Sequence, residues 1–78
     1  MTPPQPTTLG ARILYLRDLR GLTQGQLAEL IGVTVPAVSR WENGHSRPDP
    51  ESLGALSRKL LISADWLLGL PPLPRHPE

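Results

Sequence analysis

TQGQLAELIGVTVPAVSRWENG, residues 23–44, decides how this chain folds. It holds two short helical patterns, each opened by a threonine. A threonine hydroxyl oxygen accepts one of the backbone N–H groups left open in a helix's first turn, so Thr23 and Thr34 both read as N-caps. Gly32 stands between the two patterns. Glycine suits the left-handed position that ends a helix, where a Cβ is strained. Helix, tight glycine turn, helix is the expected order over these residues.

The second pattern runs from about Val35 to Asn43. On a wheel at ~100° per residue, Val35, Pro36, Ser39, Arg40 and Asn43 fall on one side. Val38 and Trp41 fall on the other, with Ala37 and Glu42 at the edges. One face is therefore apolar and suited to a core. The other is mixed and singly basic, and it fits a groove. Taken alone it equally fits the solvated side of a surface helix. The paired-helix arrangement, which is that of a helix-turn-helix, favours the groove.

Outward from this stretch, Leu9, Ile13 and Leu16 mark a first helix over about Leu9–Arg20, capped near Thr8, with Gly21 as its stop. Leu22 packs back on the core. Arg17 flanks the apolar stripe, so part of its stem is expected to be buried. Leu14, Tyr15 and Leu19 lie off the stripe. In the second helix, Leu27, Ala28 and Ile31 face inward. Gly25 in its first turn weakens it by up to ~1 kcal/mol relative to alanine, and nothing in the sequence accounts for it. Beyond Gly44, the loop HSRPD carries Arg47. Asp49-Pro50-Glu51 then opens a fourth helix with an N-cap, an N1 proline and an acid at the positive end of the dipole. Leu53, Leu56 and Leu60 give its core spacing. Ser63 caps a last short helix, Ala64–Leu68, ended by Gly69. Trp66, Leu67 and Leu68 are too many apolar groups for one small interior, so part of this helix is expected to face a second subunit.

Of the ten prolines, seven lie before Leu9 or after Gly69. That concentration marks residues 9–69 as the folded unit, with a Pro-rich arm over 1–8 and a Pro-rich tail over 70–78. The tail's PPLP run admits a protein partner through polyproline recognition. The 78 residues allow one domain. There is no cysteine, hence no disulfide and no thiolate zinc site, and His45 and His76 lack metal-ligand spacing. No metal and no cofactor is expected. No apolar run approaches a membrane span, and the first residues do not read as a leader. With eight basic and seven acidic groups the net charge is +1, so attraction to a polyanion must come from where the charges sit. No spacing points to a catalytic triad or a phosphate loop, so an enzyme is not expected.

The 23–44 stretch, followed by RPDPESLGALSRKLLISADWLLG (47–69), resembles the phage-repressor-like helix-turn-helix family, also called the XRE or Cro type. The resemblance covers about Leu9–Gly69. It is carried by Thr23-Gln24, Leu27-Ala28, Gly32-Val33, Val38-Ser39, Trp41-Glu42-Asn43-Gly44, Pro50, Leu53, Leu56 and Ser63–Leu68. It implies an all-α, compact five-helix bundle of lambda-repressor-like type, with the helix-turn-helix at helices two and three. Helix three would lie in the major groove of double-stranded DNA while helix two crosses the backbone. It implies a cytoplasmic, nucleoid-associated transcription regulator, a repressor working as a homodimer on a pseudo-palindromic operator.

By the same resemblance, Val35, Pro36, Ser39 and Arg40 would touch bases. Gln24, Thr34, Asn43 and Arg47 would hold phosphates, and Arg17 and Glu42 would form a structural ion pair. Leu61 and Trp66 are expected at the dimer interface. The chain departs from the family at two places. Val35 stands where glutamine is frequent; neither it nor Pro36 can pair bidentately with adenine, but either suits a thymine methyl group. Leu61 stands where glycine is frequent, so either the turn differs or Leu61 gains contacts. The alternative reading is a protein–protein interaction module, of the antitoxin or adaptor kind, that does not read DNA by itself.

Overall fold

The computed structural model describes residues 6–70. Most of the Pro-rich arm (residues 1–5) and of the Pro-rich tail (71–78) lies outside the described residues, and with it the partner site read into the tail. The described chain is five helices in the order α1 (Leu9–Leu19), α2 (Gln24–Ile31), α3 (Val35–Glu42), α4 (Pro50–Leu60) and α5 (Ala64–Leu68). The first ends one residue earlier than its pattern indicates, with Arg20 as C-cap. The third likewise closes at Glu42, with Asn43 as its cap.

Each helix opens on a side chain that accepts a main-chain N–H. Thr8 Oγ1 takes Ala11 N at 3.0 Å, and Asp49 Oδ1 takes Ser52 N at 2.8 Å. Thr34 Oγ1 takes Ala37 N at 3.3 Å, and Ser63 Oγ takes Asp65 N at 3.0 Å. At α2 the cap is reciprocal. Thr23 Oγ1 accepts from Gln26 N at 3.0 Å, and Gln26 Oε1 accepts from Thr23 N at 2.8 Å. Two open donors are satisfied together, which defines where α2 begins. Gly32 ends it in the left-handed region at φ 78°. So α3 follows within three residues, too close in sequence to lie anywhere but across its partner.

Ile13, Leu16, Leu27, Ala28, Val38, Trp41, Leu56, Leu60 and Leu67 form one buried cluster drawn from all five helices. Leu9, Leu22, Ile31, Leu53 and Trp66 pack against it half-buried. Of the three apolar residues in α5, only Leu67 is fully inside; Leu68 is 38% exposed. Removing a Leu side chain of this kind from water contributes about 1.5–3 kcal/mol. The cluster is what lets so short a chain hold five helices.

One backbone feature was not foreseen from side-chain spacing. At Gly10, α1 lies directly on the last turn of α3: a Cβ there would collide with the carbonyl oxygen of Trp41. Elsewhere, Leu61 ends α4 at φ 55° and ψ 50° with its side chain 85% exposed. The turn is therefore the left-handed one that glycine would favour, and Leu61 stays largely exposed among the described residues. The α4 end is fastened around it. Arg20 Nη2 donates to Leu60 O at 2.7 Å, and Ile62 N donates to Ser57 O at 3.0 Å.

Candidate nucleic-acid interface

Thr34 and Pro36 start α3 abruptly, Pro36 standing where its missing N–H is not needed. Val38 and Trp41 then turn inward, 0% and 6% exposed. This rotation leaves Val35, Pro36 and Arg40 exposed and Ser39 half-buried. Helical spacing sorts them into two rows. Pro36, Arg40 and Asn43 form one; Val35, Ser39 and Glu42 form the other. Among the described residues, the Arg40 guanidinium makes no ion pair.

Glu42 is the anchor of the second row. Its carboxylate, 4% exposed, accepts from Arg17 Nε at 2.7 Å and from Arg17 Nη2 at 3.1 Å. Gln24 Nε2 adds a third bond at 2.9 Å, to Oε1. Arg17 also gives Nη1 to Leu22 O at 2.8 Å. The Arg17 and Glu42 assigned as a pair thus meet in a bidentate, water-poor contact, of the kind that is strong and directional. The hydrogen bond to Glu42 raises the Arg17 pKa above its ordinary value, against the lowering effect of burial. One acid therefore ties α1, α2 and the end of α3 into a single frame.

The four residues assigned to phosphates stand differently. The Gln24 amide is drawn onto Glu42 rather than held free, an engagement that sequence spacing did not indicate. Gln24 still lies at the open N-terminus of α2. The Thr34 oxygen is occupied by Ala37 N, but its hydroxyl hydrogen is free to donate. Asn43 Nδ2 donates to Ser39 O at 2.9 Å, closing α3 on itself. Arg47 is exposed and lines a groove with Thr8, Leu9, Trp41 and Ser46. Val35 sits beside α2: a Cβ on Gly25 would stand 3.9 Å from its Cγ2.

Away from this face, Leu61 and Trp66 lie on the α4–α5 side. Trp66 is half-buried, with its ring 6.2 Å from that of Tyr15 at 47°. Among the described residues there is no cluster of acids and histidines that could hold a metal ion, and no helix is long and apolar enough to cross a membrane.

Two short capped helices joined by a left-handed glycine, the second with one face in the core and one outside, define a helix-turn-helix domain. The helix-turn-helix family model matches residues 13–67, and the chain belongs to that family, in its phage-repressor-like, XRE-type branch. It is 41% identical over 61 residues to the HTH-type transcriptional regulator DicA of Escherichia coli (strain K12), covering 78% of this chain and 45% of that protein. It is 38% identical over 60 residues to repressor protein C2 of Salmonella phage P22, covering 77% of this chain and 28% of that protein. The chain thus spans less than half the length of both. The crystal structure of the P22 c2 repressor in complex with a synthetic operator superposes with a TM-score of 0.75 at 38% identity, over 78% of this chain and 92% of that one.

Proposed function

We propose that this chain is the DNA-reading part of a transcriptional repressor, laying α3 in the major groove of double-stranded DNA. The observation that carries the reading is the division of α3. Its inner face is locked by the core and by Glu42, while its outer face offers Arg40 with no partner among the described residues. Arg40 is the base reader, suited to guanine O6 and N7, with Ser39 as a donor to a base or a phosphate. Val35 and Pro36 supply apolar contact. Gln24, Thr34, Asn43 and Arg47 position the strand backbones, which sets register rather than sequence. The chain does no catalysis and acts in the cytoplasm, where its target DNA lies. The operator complex of the similar P22 c2 repressor supports this reading.

One copy has few cations to offer, since Arg17 is neutralised and Arg20 is spent on Leu60 O. Two copies on half-sites about one helical turn (~34 Å) apart combine their energies. We place the homodimer contact at Leu61 and Trp66, because Leu61 is the most exposed of the large apolar residues among those described. Repression follows by occluding a promoter. Selection of bound duplexes from a random DNA pool tests this reading. A motif with dyad symmetry is expected; no enrichment even at low salt would defeat it.

A second reading keeps the fold as a protein-binding module. The apolar Val35–Pro36 start and the net charge of +1 favour it. It predicts partner binding that is insensitive to salt, whereas DNA binding weakens steeply as salt rises.

A further inference from the structure

Resting on the homodimer reading above, we infer that the contact between two copies extends from Leu61 and Trp66 onto the outer face of α1, through Tyr15 and Leu19. The occupant of this face is a second copy of the same chain.

The face is assembled by the register of α1 against the end of the bundle. Arg12, Tyr15 and Leu19 form one helical row, spaced three and four residues apart. The Arg12 guanidinium lies over Gly69, with Nη1 2.7 Å from where a Cβ would stand. The Tyr15 ring is 6.2 Å from that of Trp66. Arg20 Nη2 donates to Leu60 O at 2.7 Å. Each step forward along α1 therefore meets a step back from α5 toward α4, and this antiparallel register sets Leu19 level with the Leu61 turn. Leu61, Leu19 and Leu70 are 85%, 61% and 54% exposed, the three highest values for large apolar residues among those described. All three fall on this one strip, Leu70 following Gly69, with Tyr15 at 45% between them. Exposed apolar groups scattered singly are ordinary; a continuous strip of them marks an interaction site.

Area decides what the strip is for. A specific interface between two proteins removes at least about 1,000 Å² from water in all, or about 500 Å² on each side. Leu61 and a half-buried Trp66 cannot provide that, since even a whole aromatic side chain buries only about 150–250 Å². The contact has to continue, and the apolar surface adjoining it is the α1 row. A second copy also suits the charges: at a net +1, two chains repel each other weakly. Leu61 supplies an independent sign. Its left-handed backbone is strained while its side chain stays exposed, a penalty to the lone chain that cover by a partner offsets. Along its opposite edge the same helix meets α3, through Gly10 and through the Arg17–Glu42 pair. One helix thus carries the copy-to-copy contact on one side and the seating of α3 on the other, so the way two copies meet fixes the spacing of their α3 helices.

The test is sedimentation equilibrium of the full chain, as wild type and as Leu19→Gln, Leu61→Gln and Leu30→Gln, with urea unfolding of each. Glutamine is a good helix former, so Leu19→Gln, at the exposed end of α1, is expected to keep the wild-type urea midpoint. A contact with two-fold symmetry uses each residue twice, so each substitution removes a side chain from both copies. Leu19→Gln and Leu61→Gln should each raise the dimer dissociation constant by about tenfold or more. Leu30, 41% exposed near the end of α2, lies off the strip, and Leu30→Gln should dimerise as the wild type does. A spin label on Leu19→Cys, the one thiol in a chain without cysteine, should lose mobility as the dimer forms. Wild-type dimerisation by Leu19→Gln, or a label that stays mobile in the dimer, would overturn the inference; a weakened Leu61→Gln would then leave the contact at Leu61 and Trp66 standing. Equal weakening by Leu30→Gln would overturn it as well. A wild-type chain that is monomeric even at millimolar concentration would remove the homodimer reading along with it, while duplex selection would still judge the reading of DNA.

Discussion

Both α2 and α4 end in a left-handed turn, and the two turns are built from opposite materials. After α2 the residue is Gly32, at φ 78°. No atom comes within 4 Å of where its Cβ would be, so glycine is there for the backbone alone. After α4 it is Leu61, at φ 55°, a conformation that costs an ordinary residue about 1–2 kcal/mol. The difference extends to what surrounds each turn. The Gly32 turn joins two helices held to α1 by the Arg17–Glu42–Gln24 network, and its shape is set from inside. The Leu61 turn is fastened by Arg20 and Ile62 yet leaves its side chain in solvent. A residue that strains the backbone and stays 85% exposed among the described residues fits the dimer contact proposed above. The first half of the molecule is thus arranged for geometry, and the second is where we propose the contact with another copy.

The largest expected effect lies in the first half. Glu42→Ala strands the nearly enclosed Arg17 guanidinium and frees Gln24, and should lower stability by about 3 kcal/mol in a urea melt. An unchanged midpoint would show that the network does not hold the frame. Next is Gly32→Ala, expected to cost about 1–2 kcal/mol purely through the backbone, since the added methyl group touches nothing. A loss much larger than that would mean the turn is packed more tightly than it stands here. Leu61→Gly reverses the sign. Relief of strain, partly offset by the freer unfolded chain, should stabilise the monomer by less than about 1 kcal/mol. Sedimentation should show weaker dimerisation at the same time. A variant that is more stable and dimerises as well as the wild type would end the contrast between the halves.

The smallest effect concerns pH. The main-chain and side-chain bonds from Ser52 hold the Asp49 carboxyl below its ordinary value. A lowered folded pKa means this cap contributes fully above the unfolded aspartate value, near ~3.9, and is lost as pH falls through the folded one. Asp49→Asn keeps a capping oxygen without the charge. Its melting temperature should therefore fall less steeply than that of the wild type over the same acid range.

Much of this was legible in the residues. Five side-chain caps, the glycine stops and the apolar spacing place the helices to within a residue, because each reports a local requirement of the backbone. The inner face of α3 was equally plain from Val38 and Trp41. What spacing does not report is how near two backbones run, and so Gly10 gave no sign. Nor does it report competition for one polar head. Gln24 reads from the sequence as a phosphate contact at a helix start, and only the fold brings it to Glu42, 18 positions away. Gly25 was visible as an anomaly before it had neighbours; the structure supplied Val35.

The seating of α1 on α3 at Gly10 bears on how genetics would describe this protein. Any side chain there must push the last turn of α3 out of line. A screen for loss of operator binding should return position 10 alongside Arg40, though the two fail differently. One variant would be scarce in the cell, removed by proteolysis of a loosened fold; the other would be abundant and inert. Immunoblotting the mutants before mapping them keeps a close approach of two backbones from being mistaken for a proposed base contact.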